Sequence, residues 1–181
     1  MAAFMAAWLV LAALWPAAPA HAQTTPGFTD LTVVRNEQGL FASFNARFDL
    51  PRAVEDALSK GVPLYFVVEA ALYSKRWYWA DKREARTSRV WRLAYQPLTR
   101  KYRVTLGGES QIYDTQAEAL AVVRRVSDWK IADAGQIDKD ESHYVEFAYR
   151  LDTTLLSRPM QIGIGGQPEW TLVIEKTLPL E

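Results

Sequence analysis

The sequence predicts a mainly β protein, a single-domain antiparallel β-sandwich of immunoglobulin-like architecture with two short helices. Several segments alternate apolar and polar residues with a period of two, as in Leu40 to Phe48, which is the pattern of a half-buried strand. Turn residues separate these segments at short intervals, and no alternation of strands with helices indicates parallel βαβ units. The chain has 181 residues, and without a leader it is of ordinary single-domain size.

Residues 1–22 have the features of a signal peptide, and residues 23–181 are predicted to form the single β-sandwich domain. Met1 to Trp15 carry no charged side chain, and Pro16 ends this apolar run. Ala20-His21-Ala22 follows with the small-x-small pattern at which signal peptidase cleaves. The run is shorter than the ~20 residues of a membrane-spanning helix. We therefore expect export, cleavage after Ala22 and no membrane span after removal of the leader. An uncleaved anchor is the alternative.

The first predicted elements are a hairpin, a helix and a central strand. Phe28 to Arg35 and Leu40 to Phe48 are strands joined by Asn36-Glu37-Gln38-Gly39, in which Asn and Gly tolerate the positive φ angles of a hairpin turn. A short helix over Pro51 to Lys60 has proline in its first turn and a glycine after its end. Leu64 to Leu72 is apolar on both faces in its middle, which indicates a central strand.

Shorter strands, a second helix and two loops complete the predicted domain. Thr115 and Glu118 form a capping box that begins a helix extending to about Val126. Asp133 to Glu141 and the glycine-rich stretch Gly163 to Gly166 are predicted to be loops. The remaining strands are predicted over Ser88 to Gln96, Thr99 to Leu106, Ser110 to Tyr113, His143 to Leu151 and around Trp170 to Ile174.

The composition excludes several kinds of chemistry. The chain has no cysteine, which excludes a disulfide, a thiol nucleophile and a thiolate zinc site. His143 is the one histidine after the leader, and at the start of a strand it is expected to be satisfied by its neighbours. Gly163 to Gly166 lacks the following helix of a phosphate-binding loop, and Asp138 to Glu141 lacks the glycine and the spacing of a calcium loop. No metal site, cofactor or catalytic residue is predicted.

The clearest functional signal is a concentration of basic and aromatic residues between Tyr73 and Arg103. Ten Lys and Arg side chains stand there against two acidic ones, although the whole chain has 21 of each charge. A basic surface with aromatic rings suits an anionic ligand such as an acidic polysaccharide or lipid headgroups. Export argues against nucleic acid as the partner. The residues predicted to bind are Arg76, Trp77, Trp79, Arg89, Trp91, Arg92, Arg100 and Arg103.

A structural role is the alternative for the same residues. Arginine stems on strand faces cover neighbouring rings. The carboxylates of Asp138, Asp140, Glu141 and Glu146 would fold back and neutralise the basic surface. Trp77 and Trp79 alternate with Tyr78 as on a strand. That pattern favours packing in the core or an interface over stacking on a sugar ring.

Several of these segments resemble a known family. They are Trp77 to Asp81, Arg89 to Tyr95 and Leu98 to Val104, with Gly61 to Leu64 before them and Arg158 to Gly163 after them. Together they resemble the uncharacterised bacterial domain-of-unknown-function family 4390, whose members are sometimes labelled proline-rich signal-peptide proteins. The resemblance covers nearly all of the mature chain. It implies export to the periplasm of a Gram-negative bacterium, no established catalytic residue, and genes that often lie near those for a ribosomal RNA methyltransferase and a two-component sensor kinase.

We therefore expect a non-enzymatic binding or interaction module of the bacterial envelope. Its predicted partner is an envelope protein, such as a membrane sensor kinase, or an anionic glycan. The alternative is a hydrolase of cell-wall or exported polysaccharide that acts through paired acids. Such an enzyme would need two carboxylates about 5–10 Å apart in a cleft.

Overall fold

The computed structural model describes residues 25–138, 141–164 and 167–180. The predicted signal peptide and its cleavage site after Ala22 lie outside these residues. The strands are β1 (Gly27–Asn36), β2 (Gly39–Arg47), β3 (Leu64–Ser74), β4 (Lys82–Gln96), β5 (Lys101–Leu106), β6 (Glu109–Tyr113), β7 (Arg125–Asp133), β8 (His143–Leu151) and β9 (Val173–Leu180). The α-helices are α1 (Arg52–Ser59), α2 (Gln116–Arg124) and α3 (Arg158–Ile164).

Two antiparallel sheets face each other across one core. The small sheet has the order β1-β2-β7, and the large sheet has the order β6-β5-β4-β3-β8-β9. Aromatic rings of the two sheets meet between them. Phe44 of β2 lies 6.4 Å from Phe147 of β8, and Phe48 lies 5.6 Å from Tyr149, measured between ring centroids. The predicted mainly β sandwich is therefore confirmed.

The centre of the large sheet is β3, as its apolar pattern predicted. Leu64, Phe66 and Val68 face the core and are fully buried. The strand pairs with β4 on one side and β8 on the other. Because successive side chains of a strand point to opposite faces, Glu69 lies on the outer face of this sheet.

The two predicted helices are present, and both present an apolar face to the core. In α1, Val54 and Leu58 are buried. The capping box of α2 forms as expected, with Thr115 Oγ1 accepting from the Glu118 N–H at 3.2 Å. The Glu118 carboxylate accepts from the Thr115 N–H, also at 3.2 Å. Within the described residues, no helix combines the length and the apolar character needed to cross a bilayer.

Strand β7 was not predicted from the sequence. The helix α2 ends at Arg124, and the chain continues directly into this strand, which pairs with β2. The pairing shifts register twice along its length. Such bulges break the period of two, so Val126, Trp129 and Ile131 are buried at uneven spacing and the pattern is hidden.

Two further segments near the C-terminus differ from the prediction. The helix α3 occupies part of the stretch predicted as a glycine loop, and Gly165 and Gly166 lie outside the described residues. The last strand begins at Val173 rather than around Trp170, whose buried ring belongs to a short 3-10 turn.

Candidate functional site

Three consecutive aromatic side chains stand in solvent between β3 and β4. We call residues 75–81 the aromatic loop. Its Trp77, Tyr78 and Trp79 are 95%, 68% and 75% exposed, whereas tryptophan is highly buried on average. Trp77 and Trp79 were expected to pack in the core or in an interface, and the core alternative is wrong. The last residue pair of the β3–β4 hairpin is Ser74 with Lys82, so the rings lie beyond the end of the sheet.

Hydrogen bonds fix the base of the aromatic loop. Asp81 accepts from the backbone N–H of Arg76 at 3.2 Å and from the hydroxyl of Tyr144 on β8 at 2.9 Å. The backbone N–H of Lys75 donates to the carbonyl of Ser142 at 2.8 Å. Tyr144 also stacks on Tyr73, with ring centroids 5.2 Å apart. The loop is thus held at its base while its three rings remain exposed.

The half-buried Tyr144 donates a hydrogen bond from its hydroxyl at this base. Burial raises its pKa first, and the hydrogen bond and charge of Asp81 raise it further, to about 12. The hydroxyl therefore keeps its proton at neutral pH. Lys75 adds a cation–π contact, with Nζ 5.9 Å from the centre of the Tyr144 ring.

The structure separates the predicted binding residues instead of joining them in one patch. Arg76, Trp77 and Trp79 belong to the aromatic loop. Arg92 is exposed on β4, and Arg103 of β5 is half-buried beside Ile112. Their register places both on the outer face of the large sheet, because Leu93 and Val104 face the core. Arg100 lies in the β4–β5 turn, at the opposite end of β4 from the aromatic loop.

Trp91 lies in the interior, which corrects its selection as a surface binding residue, and Arg89 is half-buried at the edge of the space between the sheets. Trp91 pairs with Phe66 in the β3–β4 register, is 2% exposed and lies 6.3 Å from Tyr149. Arg89 is on the same face of β4, with its guanidinium carbon 5.5 Å from the ring of Trp129 in the small sheet. Burial lowers the pKa of Arg89. Both side chains contribute to packing between the sheets.

A carboxylate that sequence reasoning overlooked pairs with arginines on the outer face. Glu69 accepts from Arg86 of β4 at 2.6 Å and from Arg150 of β8 at 3.1 Å. The hydrogen bond from Arg86, supported by Arg150, lowers the pKa of Glu69. The sequence did contain a signal for this pairing, because Glu69 is the one charged residue in the apolar segment Leu64 to Leu72. A charged residue in a central strand is rarely buried unless it is paired.

Other basic residues of the region also have nearby acidic partners. Lys82 pairs with Glu84 at 2.8 Å, and Lys101 pairs with Asp114 at 2.5 Å. Of the residues predicted to neutralise the basic surface, Asp140 lies outside the described residues, and Glu146 makes no ion pair within them.

A polar groove of about 380 Å³ lies on the outer face beside Glu69. Ala71 and Ala148 leave room at its centre because their side chains are short. Arginines of β4 line one side, and the carboxylates of Glu146 and Glu175 line the other. The groove therefore brings together acidic residues that lie far apart in the sequence.

His143 is buried at the start of β8, beside Ser74 in the β3–β8 register. Ser74 is satisfied, because its hydroxyl donates to Glu84 at 2.9 Å. The expectation for the histidine is not met, since its Nε2 has no hydrogen-bond partner in the part of the chain described. Among those same residues, no group of three or more His, Asp or Glu side chains is arranged to hold a metal ion.

Comparison with protein families agrees with the resemblance seen in the basic and aromatic segments. Residues 25–178 match the family model described as Domain of unknown function (DUF4390). The chain belongs to this family. The DUF4390 match includes the aromatic loop, its anchoring strands and the outer-face groove. No curated protein and no solved structure matched the chain.

Proposed function

We propose that this DUF4390 protein is exported to the periplasm and acts there as a non-enzymatic binding module through its aromatic loop. The observation that carries the proposal is the exposure of Trp77, Tyr78 and Trp79 on a loop with a fixed base. Large apolar rings in water lower solubility unless a partner covers them, so their exposure on an ordered loop favours a binding role. A loop already ordered before binding also loses less conformational entropy in the complex.

The composition of the loop suits recognition. Tryptophan, tyrosine and arginine are the residue types that most often dominate the energy of an interface, and all three occur in Arg76 to Trp79. The basic residues beside them favour an acidic partner surface. An envelope protein, such as a membrane sensor kinase, and an anionic glycan are the partners that the sequence predicted.

Site-specific photo-crosslinking in living cells tests the binding role. A photoreactive amino acid in place of Tyr78 should give discrete adducts with envelope components after irradiation. The matched control replaces Ile162, which is also exposed but lies on α3, outside the loop. Mass spectrometry then assigns each adduct to protein, glycan or lipid. Absence of adducts from position 78, or equal labelling from position 162, would exclude the loop as the binding element.

Export is tested separately by fractionation and N-terminal sequencing. We expect the protein in the periplasmic fraction, beginning at Gln23 after cleavage behind Ala22. Recovery from the cytosol with Met1 attached would overturn both the location and the envelope partners.

The rival function, a polysaccharide hydrolase, has one observation in its favour. The outer-face groove gathers the carboxylates of Glu69, Glu146 and Glu175. A general acid needs a raised pKa, however, and the two arginines hold the pKa of Glu69 below its ordinary value. Release of sugar from cell-wall or exported polysaccharide, abolished by Glu146→Gln or Glu175→Gln, would replace the binding module with the hydrolase.

A further inference from the structure

We propose that the aromatic loop binds the anionic surface of a lipid bilayer, with its rings at the level of the headgroups. This inference rests on the proposed function, because it names the partner of the same loop. The large apolar side chains that the loop exposes are indole and phenol rings rather than aliphatic groups. Such rings favour the membrane interface, where the apolar body enters the acyl region and the N–H or O–H remains hydrated.

Basic residues flank the rings on both sides. Lys75 and Arg76 precede the rings, and Lys82 and Arg83 follow them. The one acidic residue among residues 75–83 is Asp81, and its two oxygens accept from Arg76 N–H and Tyr144 within the base of the loop. Glu84 follows and pairs with Lys82 at 2.8 Å, so residues 75–84 hold four basic side chains against two acidic ones and keep a net positive charge. Each basic residue near an anionic bilayer strengthens binding by about fivefold.

A neighbouring acidic residue opposes this attraction and offers an independent test. The hydrogen bond between Lys75 and Ser142 brings the connection before β8 against the loop, and the adjacent residue Glu141 is exposed. An anionic surface repels this carboxylate. Removal of its charge should therefore strengthen membrane binding.

The small size of the exposed tip favours a bilayer over a protein surface. Three aromatic side chains cover at most about 450–750 Å². A standard protein interface buries about 800 Å² on each partner. Apart from the small side chain of Ala80, the residues beside the rings are charged, so they add little to the apolar area. A bilayer requires no larger matching surface, because the rings enter it while the basic side chains stay among the headgroups.

Vesicle co-sedimentation of the purified protein tests the inference. The probes are vesicles of phosphatidylglycerol mixed with phosphatidylcholine, compared with vesicles of phosphatidylcholine alone. The triple variant Trp77→Ala, Tyr78→Ala, Trp79→Ala should bind the anionic vesicles at least about tenfold more weakly than the wild type. Removing the charge of Lys75 or Arg76 should weaken binding by about fivefold each, and Glu141→Gln should strengthen it.

A matched control distinguishes binding by the loop from nonspecific adsorption through other exposed apolar side chains. Leu98→Ala with Ile162→Ala removes two exposed apolar side chains outside the loop and should leave vesicle binding unchanged. Quenching by brominated lipid should occur in the wild type. In protein that begins at Gln23, and so lacks Trp8 and Trp15, the quenching should disappear in Trp77→Phe with Trp79→Phe, because Trp91, Trp129 and Trp170 are buried in the fold.

The outcomes distinguish this inference from the proposed function. Equal binding of the triple variant and the wild type, or no binding to anionic vesicles, would overturn the membrane inference. If crosslinks from position 78 then identify a protein or glycan, the loop is still a binding element with a different partner. If neither vesicles nor crosslinks respond, both proposals fail.

Discussion

Glu69 connects three strands of the large sheet, because its carboxylate on β3 accepts from Arg86 on β4 and from Arg150 on β8. These bonds hold its pKa below the ordinary 4.5. A carboxyl group with a lowered pKa stabilises the fold above its unfolded pKa, and this contribution is lost as the pH falls through its folded pKa. Glu69→Gln should therefore lower the free energy of unfolding at pH 7 by about 0.5–1 kcal/mol, after allowance for solvent screening.

Urea unfolding at a series of pH values measures this effect. The difference between wild type and Glu69→Gln should shrink as the pH falls below about 4.5. Glu146→Gln is the control, because Glu146 lies on the same outer face but makes no ion pair within the described residues. A difference that stays constant with pH would contradict the role given to the ion pairs.

Asp81 fixes the aromatic loop through Tyr144, and its charge is visible in the titration of that tyrosine. Burial and Asp81 together raise the pKa of Tyr144 to about 12. Asp81→Asn keeps a hydrogen-bond acceptor but removes the charge, so the pKa of Tyr144 should fall. It should remain above 10, because burial is the larger cause. NMR titration of labelled tyrosine ring carbons measures this pKa, and an unchanged value would show that Asp81 does not contact Tyr144.

Among the elements, α2 depends on the reciprocal hydrogen bonds of Thr115 and Glu118 at its N-terminus. Thr115→Ala removes the acceptor for one first-turn N–H group and should lower the free energy of unfolding by about 1 kcal/mol. Thr115→Ser is the control, because it keeps the hydroxyl. Urea unfolding should give a lower free energy of unfolding for Thr115→Ala than for Thr115→Ser. Equal values would mean that the cap does not stabilise the folded protein.

Sequence patterns predicted elements wherever one periodicity continued unbroken. They predicted β2, β3 and β8 because their inward residues alternate without interruption, and α2 because its capping box is local. They missed β7, where register shifts against β2 break the alternation. They also misjudged the tryptophans around β4. A period of two assigns a face only while the strand lasts, and nothing in the sequence marked Ser74–Lys82 as the last pair of the hairpin.

Across the whole molecule, the aromatic residues that pack the core lie between the sheets, and those of the described residues that are exposed to solvent lie on the aromatic loop. Between the sheets, aromatic rings from both layers fill the core, and they include Trp91 of β4. The outer face of the large sheet carries paired charges around Glu69, and the aromatic loop extends past its end. The candidate site required this three-dimensional information, because residues 76–103 look uniform in charge and aromatic content but divide between core, outer face and loop.

Replacing tryptophan by alanine should therefore lower the free energy of unfolding at one position and leave it nearly unchanged at another position close in sequence. Trp91→Ala removes a ring that is 2% exposed and contacts Tyr149, so it should cost about 3–5 kcal/mol of unfolding free energy. Trp77→Ala removes a ring that is 95% exposed, so stability should change by less than about 0.5 kcal/mol. Urea unfolding followed by far-UV circular dichroism compares the two without relying on tryptophan fluorescence.

The crosslinking experiment should show the reverse order. Trp77→Ala should reduce adducts from position 78, while a milder core variant, Trp91→Phe, should leave them unchanged. If Trp77→Ala destabilised the fold as much as Trp91→Ala, the exposed rings would be structural, and the aromatic loop would lose its standing as a binding element.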